Sequence, residues 1–294
     1  MKHSSAASSN GKKPSEQKNA GEWEKNARLD PLFAILSSSH GRDGKWDVEQ
    51  FFATGRTEVG RVFSHLAEIG VVPDRTGRFL DFGCGVGRVS QALAQRFASG
   101  AGIDISARMI ELAGQYNVAV LPIDFVQNTA PELSVIPSAS IDFVYSHIVL
   151  QHISNDLQRR FIGEFARILK PGGFAFFQIP IENLSPARAE APPSWLKRQL
   201  PKPLKDRLKR LLGMKTEDDV VSMEMNVLPD AEVARAIGNG GCELIRLSYS
   251  NSTEPDHNGM VDYFDRPEAL KRIEDGSVRS TFLSGCYLLQ KTVH

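Results

Sequence analysis

Phe79-Leu80-Asp81-Phe82-Gly83-Cys84-Gly85-Val86-Gly87-Arg88, followed by Gly102-Ile103-Asp104-Ile105, is the stretch whose reading decides the fold. Apolar Phe79, Leu80 and Phe82 suit a strand covered on both faces. Glycines at 83, 85 and 87 let the backbone turn sharply and approach a ligand with no Cβ in the way. Val89, Leu93 and Phe97 then share one face of a helix. Asp104 ends a second strand, Ala101 to Ile105. In a doubly wound sheet that strand end lies beside the first turn, where one carboxylate matches the two vicinal hydroxyls of a ribose. The spacing Gly83-x-Gly85-x-Gly87 departs from the G-x-G-x-x-G of a dinucleotide site. Asp81, two residues before the first glycine, would face a cation rather than a pyrophosphate. A nicotinamide enzyme is therefore the lesser reading.

The chain has 294 residues, 41% of them hydrophobic, and its 35 basic residues balance 35 acidic ones. That length suits one large domain with additions. Zero net charge gives no bulk reason to expect a nucleic-acid partner. Three cysteines (Cys84, Cys242, Cys286) form an odd set without metal spacing, which suits a reducing cytoplasm. Residues 1–28 are polar, with Trp23 the only large apolar side chain, and are expected to be a disordered tail. No apolar stretch follows Lys2 as a secretory signal requires, and none approaches the roughly 20 residues of a membrane span.

Working outward, residues 29–75 read as a helical cap. Asp30-Pro31 starts a capped helix, and Val59, Val62, Phe63, Leu66 and Ile69 mark a longer one. Strands are expected near 78–82, 100–104, 123–127, 141–146 and 173–179, with helices near 88–97, 106–116 and 155–169 between them. Lys170-Pro171-Gly172-Gly173 reads as a turn. A helix over 230–238 and strands over 243–250 and 282–290 complete the chain. The long segments 181–228 and 251–280 both follow strand ends on the ligand side of the sheet, and with the cap they are expected to form an acceptor pocket.

These motifs resemble the class I S-adenosylmethionine-dependent methyltransferases, of the type 11 kind. Leu80 to Arg88 matches that family's first motif, and Gly102-Ile103-Asp104-Ile105-Ser106 with Met109-Ile110 and Ala113 its second strand and helix. Ile141 to Ser146 matches its fourth strand. Leu150-Gln151-His152-Ile153 and Arg167 to Gly173 match the approach to its fifth. The resemblance implies an α/β, doubly wound, mostly parallel seven-stranded sheet of order 3-2-1-4-5-7-6 with strand 7 antiparallel. It implies a methyltransferase domain over 76–294 that carries an insertion at 181–228.

The same resemblance implies S-adenosylmethionine as cofactor and no metal. Gly83, Cys84 and Gly85 would meet the methionyl part, Asp81 its ammonium, Asp104 the ribose, and Ile105 and Met109 the adenine. Asn128, beside Thr129, stands where the family commonly has an acid, and its amide carbonyl is expected to accept from the adenine amino group. Ser146 and His147 end the fourth strand beside the expected methyl position. Arg56 is a candidate partner for the cofactor's carboxylate.

His147 leads as general base because an imidazole titrates near neutral pH. His152 and the loop residue His257, next to Asp256, are further candidates. No Asn/Asp-Pro-Pro-aromatic motif follows strand four; Ser146-His147-Ile148-Val149 stands there instead, which argues against nucleobase or glutamine amino nitrogens as targets. The expected reaction is methyl transfer to a small-molecule acceptor, by preference an oxygen on a sugar, lipid or secondary metabolite. The alternatives are a non-catalytic adenosyl-binding scaffold and a membrane-recruited enzyme. The latter rests on Trp195 to Lys215, with eight Lys or Arg against Asp206 alone and Leu at helical spacing. That segment reads either as a basic lid or as a peripheral membrane contact.

Overall fold

The structure, a computed structural model, describes residues 15–37, 41, 43–119, 122–184, 225–252 and 259–293. Its frame is one eight-stranded sheet in the order β3-β2-β1-β4-β5-β8-β6-β7. The strands are β1 (Arg78–Phe82), β2 (Ser99–Asp104), β3 (Ile123–Gln127), β4 (Ile141–Ser146), β5 (Leu169–Asn183), β6 (Cys242–Ser250), β7 (Tyr263–Phe264) and β8 (Phe282–Lys291). β3, β2, β1, β4 and β5 run parallel, and β8 lies antiparallel between β5 and β6. The expected order is thus extended by a short edge strand, β7, paired to the end of β6 through Tyr249–Phe264 and Ser250–Tyr263. Two residues carry too little periodicity to mark such a strand in the sequence.

Alternation along β1 builds both faces of the sheet. Leu80 and Phe82 join Ala101, Ile103, Phe161, Ile162 and Phe165 in one buried cluster. Phe79 turns the other way, into a cluster with Val59, Val62, Phe63, Leu66, Leu93 and Phe97. The first cluster packs under α6 (Asn155–Ile168), the second under α3 (Val48–Glu68) and α4 (Arg88–Leu93). Among the described residues, α5 (Ala107–Tyr116), α7 (Asp230–Asn239) and α8 (Arg266–Glu274) also pack on the sheet. β5 is longer than expected. Ile141 pairs with Leu169 and Phe143 with Phe174, so Lys170–Gly173 forms a bulge inside the strand rather than a free turn. Gly172 takes φ 79° there, and Pro171 needs no ladder donor in a bulge.

The N-terminal region departs most from expectation. Residues 15–28, expected within a disordered tail, belong to α1 (Ser15–Leu29). Ala27 and Asn26 are buried, because α1 lies on a third apolar cluster formed with Leu32, Leu36, Phe51, Val86, Met109 and Leu112. α2 (Pro31–Ile35) follows, capped as the sequence suggests: the Asp30 carboxylate accepts from Phe33 N at 3.3 Å. α1 packs against α2 and α5, contacts without which a polar helix of 15 residues would not persist. Residues 185–224, most of the expected lid and all of the basic 195–215 segment, lie outside the described residues, as does His257. The chain re-enters beside the strand ends, where Asn226 N donates to Gln151 O and Leu228 N to Pro180 O.

Candidate active site

The glycine turn after β1 is stitched to β2. Gly83 N and Cys84 N both donate to Ile103 O, at 2.7 and 3.0 Å. Gly83 and Gly85 hold φ 78° and 53°, a region that disfavours L side chains. A Cβ on Gly85 would also stand 2.5 Å from Ile35 Cδ1. Asp104 closes the turn from the neighbouring strand: Oδ2 accepts from Gly85 N and Oδ1 from Ser106 N, each at 2.9 Å. Burial raises its carboxyl above the usual range, against those same hydrogen bonds.

Asp81 is buried in β1 and accepts from Ser90 Oγ at 2.6 Å. Burial pushes its carboxyl up to about 7, although the Ser90 hydroxyl and the Arg88 charge pull the other way. Asn128 donates its amide to Ala130 O (2.9 Å) and Glu132 O (3.2 Å), which leaves Oδ1 as its acceptor for a ligand. Asp81, Gly83, Cys84, Gly85, Asp104, Ile105, Met109, Asn128, Thr129 and His147 all line a single pocket. The Cys84 thiol is pushed well up by burial, so it stands there as a small neutral side chain.

Of the four remaining sequence-based candidates, three lie elsewhere. Arg56 is exposed. On α3 it stands about 200° around the helix from both Thr54 and Glu58, which face the core. Ser146 is fully buried outside the pocket lining, because strand alternation sends Tyr145 and His147 to the pocket and Ser146 to the opposite face. His152 also stands outside the lining. It sits in a 3₁₀ turn, Leu150–His152, and meets the Trp23 ring edge-on with centroids 5.3 Å apart. The fourth, His257, falls outside the described residues.

Several lining residues escape a reading by motif. α1 contributes Asn19 and Trp23, and α2 contributes Ile35. Beneath the pocket, α3 supplies Glu58, fully buried. Its Oε2 accepts from Arg88 Nη2 at 2.7 Å, its Oε1 accepts from the Tyr145 hydroxyl at 2.8 Å, and His147 Nδ1 lies 3.0 Å from Oε1. Arg88 Nη1 also donates to Thr54 Oγ1 at 3.2 Å. The sequence did hold a signal for this: Glu58, Val62 and Leu66 follow at i, i+4 and i+8, so an acid stands on the apolar stripe of its own helix.

A glycine turn, a strand-end acid on the second strand and a pocket at the tips of β1, β2, β3 and β4 are the arrangement found in class I S-adenosylmethionine-dependent methyltransferase domains, and they fall on the part of the chain that a family comparison matches. Residues 80–177 match the family described as "Methyltransferase domain". Among curated proteins, the chain is 34% identical over 133 residues to the ubiquinone biosynthesis O-methyltransferase of Saccharophagus degradans, covering 45% of this chain and 55% of that protein. It is 32% identical over 143 residues to the trans-aconitate 2-methyltransferase of Deinococcus radiodurans, covering 47% and 50%. The chain thus spans about half the length of these relatives. The fold is shared with the magnesium protoporphyrin IX methyltransferase of Synechocystis, solved with bound S-adenosylhomocysteine, at TM-score 0.55 and 16% identity over 95% of this chain and 100% of that one. No helix among the described residues is long and apolar enough to cross a membrane.

Proposed function

We propose that this protein transfers the methyl group of S-adenosylmethionine to an oxygen of a small-molecule acceptor, a sugar, lipid or secondary metabolite. The observation that carries the reading is that Asp81, Asp104 and His147, from three neighbouring strands, line one pocket. The donor set suits the cofactor. Asp104 matches a ribose diol, Asp81 an ammonium, directly or through water, and Asn128 Oδ1 the adenine amino group, with Ile105 and Met109 beside the base. The turn at Gly83, Cys84 and Gly85 lets backbone approach the methionyl end. The cofactor supplies an activated methyl group. The chain supplies positioning, which lowers such barriers by roughly 7–11 kcal/mol when geometry is right, and a base, His147, to take the acceptor's proton. The O-methyltransferase relative favours an oxygen acceptor. Three free, buried cysteines suit a reducing, cytoplasmic setting.

The test is calorimetry of the full chain with S-adenosylhomocysteine, followed by incubation with methyl-labelled S-adenosylmethionine and a small-molecule metabolite extract. Binding and a labelled O-methyl product are expected. Absence of binding heat overturns the reading, and binding with no labelled product turns it toward an adenosyl-binding scaffold. His147→Gln is expected to lower turnover by about 10²-fold or more and to leave S-adenosylhomocysteine affinity intact.

A further inference from the structure

We infer that Glu58 is a positioning residue that fixes the tautomer of His147, placing the proton on Nδ1 and the basic lone pair on Nε2. The inference rests on the reading of His147 as the base and adds to it a residue from the N-terminal cap.

The argument is one of donors and acceptors. An ionised carboxylate only accepts. Glu58 Oε2 takes Arg88 Nη2–H at 2.7 Å, and Oε1 takes the Tyr145 hydroxyl at 2.8 Å. His147 Nδ1, 3.0 Å from the same Oε1, must then be the donor. A neutral imidazole with its proton on Nδ1 carries its lone pair on Nε2. As the acceptor's oxygen bonds to the methyl carbon and the sulfur–methyl bond breaks, the hydroxyl proton passes to Nε2. The resulting imidazolium then faces the Glu58 carboxylate. The arrangement is assembled from distant segments, since α3 brings Glu58 to a residue 89 positions later. Its burial is complete: the side chains of Glu58, His147 and Arg88 are 0%, 2% and 5% exposed. Water therefore does not compete for the contact.

Glu58→Gln tests this without a change of shape. Arg88 offers only donors, so the Gln carbonyl turns to Arg88 and its amide turns to His147. Nδ1 must then accept, and the proton moves to Nε2.

The experiment uses the full chain with ¹⁵N-labelled histidine, saturated with S-adenosylhomocysteine at mildly alkaline pH. His147 is assigned by the resonance lost in His147→Gln. The expected wild-type ring is neutral with its proton on Nδ1, and Glu58→Gln inverts it. A wild-type proton on Nε2, or an unchanged tautomer in Glu58→Gln, overturns the inference. The wild-type spectrum alone decides it if the variant does not fold. In parallel, label transfer to the metabolite extract in Glu58→Gln is expected to show kcat lowered by about 10²-fold or more with KM for S-adenosylmethionine within about twofold. A raised KM at unchanged kcat also overturns it. Full turnover in His147→Gln would remove the base and leave the tautomer measurement to judge Glu58 separately.

Discussion

Glu24 and Ser106 share a 2.8 Å hydrogen bond that fastens α1 to the strand tip carrying Asp104. Glu24 Oε2 also accepts from Arg108 N at 3.2 Å, so the acid sits at the N-terminal end of α5, where a negative charge is favoured. Ser106 belongs to both sides. Its hydroxyl accepts from Met109 N at 3.1 Å as the helix cap, and its own N–H goes to Asp104. The helix that covers the pocket and the acid proposed for the ribose are therefore joined through one residue. Burial pulls the Glu24 carboxyl up, but the bonds from Ser106, Arg108 N and Arg28 outweigh it and hold it below 4.5.

Removing this latch should speed ligand escape. Losing a capping interaction costs about 1 kcal/mol, so Glu24→Ala is expected to raise the dissociation rate of S-adenosylhomocysteine by about fivefold, read by stopped-flow tryptophan fluorescence. With a lowered pKa, the latch is intact above 4.5 and fails as pH falls through the folded value. Release should therefore quicken in acid in the wild type and not in Glu24→Ala. Equal rates in the two proteins at neutral pH would show that α1 does not retain the ligand.

Asp81 runs in the opposite direction. Its carboxyl is raised from 3.8 to about 7, so the folded apo-protein favours the protonated form. That contribution to stability is complete below 3.8 and is lost as pH rises through about 7. Thermal melts should accordingly show a decline between these limits that Asp81→Asn flattens. An ammonium-bearing ligand needs the ionised acid, so S-adenosylhomocysteine should bind more tightly on the alkaline side of 7, with proton release detected by calorimetry in buffers of different ionisation enthalpy. A pH-independent affinity would dismiss the pairing of Asp81 with the ammonium.

Asp104→Asn replaces two acceptor oxygens with one. Hydrogen bonds involving a charged group contribute about 1.5–3 kcal/mol, so Kd for S-adenosylhomocysteine is expected to rise about 10- to 150-fold. Since Gly85 N and Ser106 N both point at this side chain, the melting temperature of the apo-protein should fall as well. An unaltered Kd measured by calorimetry would separate Asp104 from the ribose.

Gly85→Ala places a methyl group at φ 53° and 2.5 Å from Ile35 Cδ1. The left-handed conformation costs an L residue roughly 1–2 kcal/mol, and the contact adds to it. Ile35→Ala in the same chain should recover the steric part alone. A double-mutant cycle of chemical denaturation should thus show positive coupling between positions 35 and 85, and additive effects would contradict the close approach of α2 to the turn.

The parts of the fold that could be read in advance are those fixed by neighbours in sequence. β1, the glycine turn and Asp104 follow from apolar runs on a buried parallel sheet and from the turn's need for positive φ. The expected strands and helices of the core fall within a few residues of their places, apart from the longer β5. α8 carried local signals in Asp265 and Pro267: the Asp265 carboxylate accepts from Glu268 N at 2.9 Å. They lie inside a long segment expected to be loop. α1 was illegible for another reason. Its composition is that of a solvated chain, and only contacts made far along the sequence, Glu24 with Ser106 and Trp23 with His152, turn it into a wall of the pocket. Arg56 lies on the cap helix expected over the cleft and Ser146 ends β4 next to His147, yet helical and strand phase rotate both away from the pocket.

The separation of 82 residues between Glu24 and Ser106 bears on how the protein matures. A ribosome releases the α1 segment well before its docking surface exists, and contacts that span so much chain form slowly. The sheet and its glycine turn can assemble first, leaving the crevice uncovered until the helix returns. Trimming the first thirty residues as an apparently dispensable leader would remove a wall of that crevice, so fusion partners and protease sites belong ahead of Ser15 rather than within the helix.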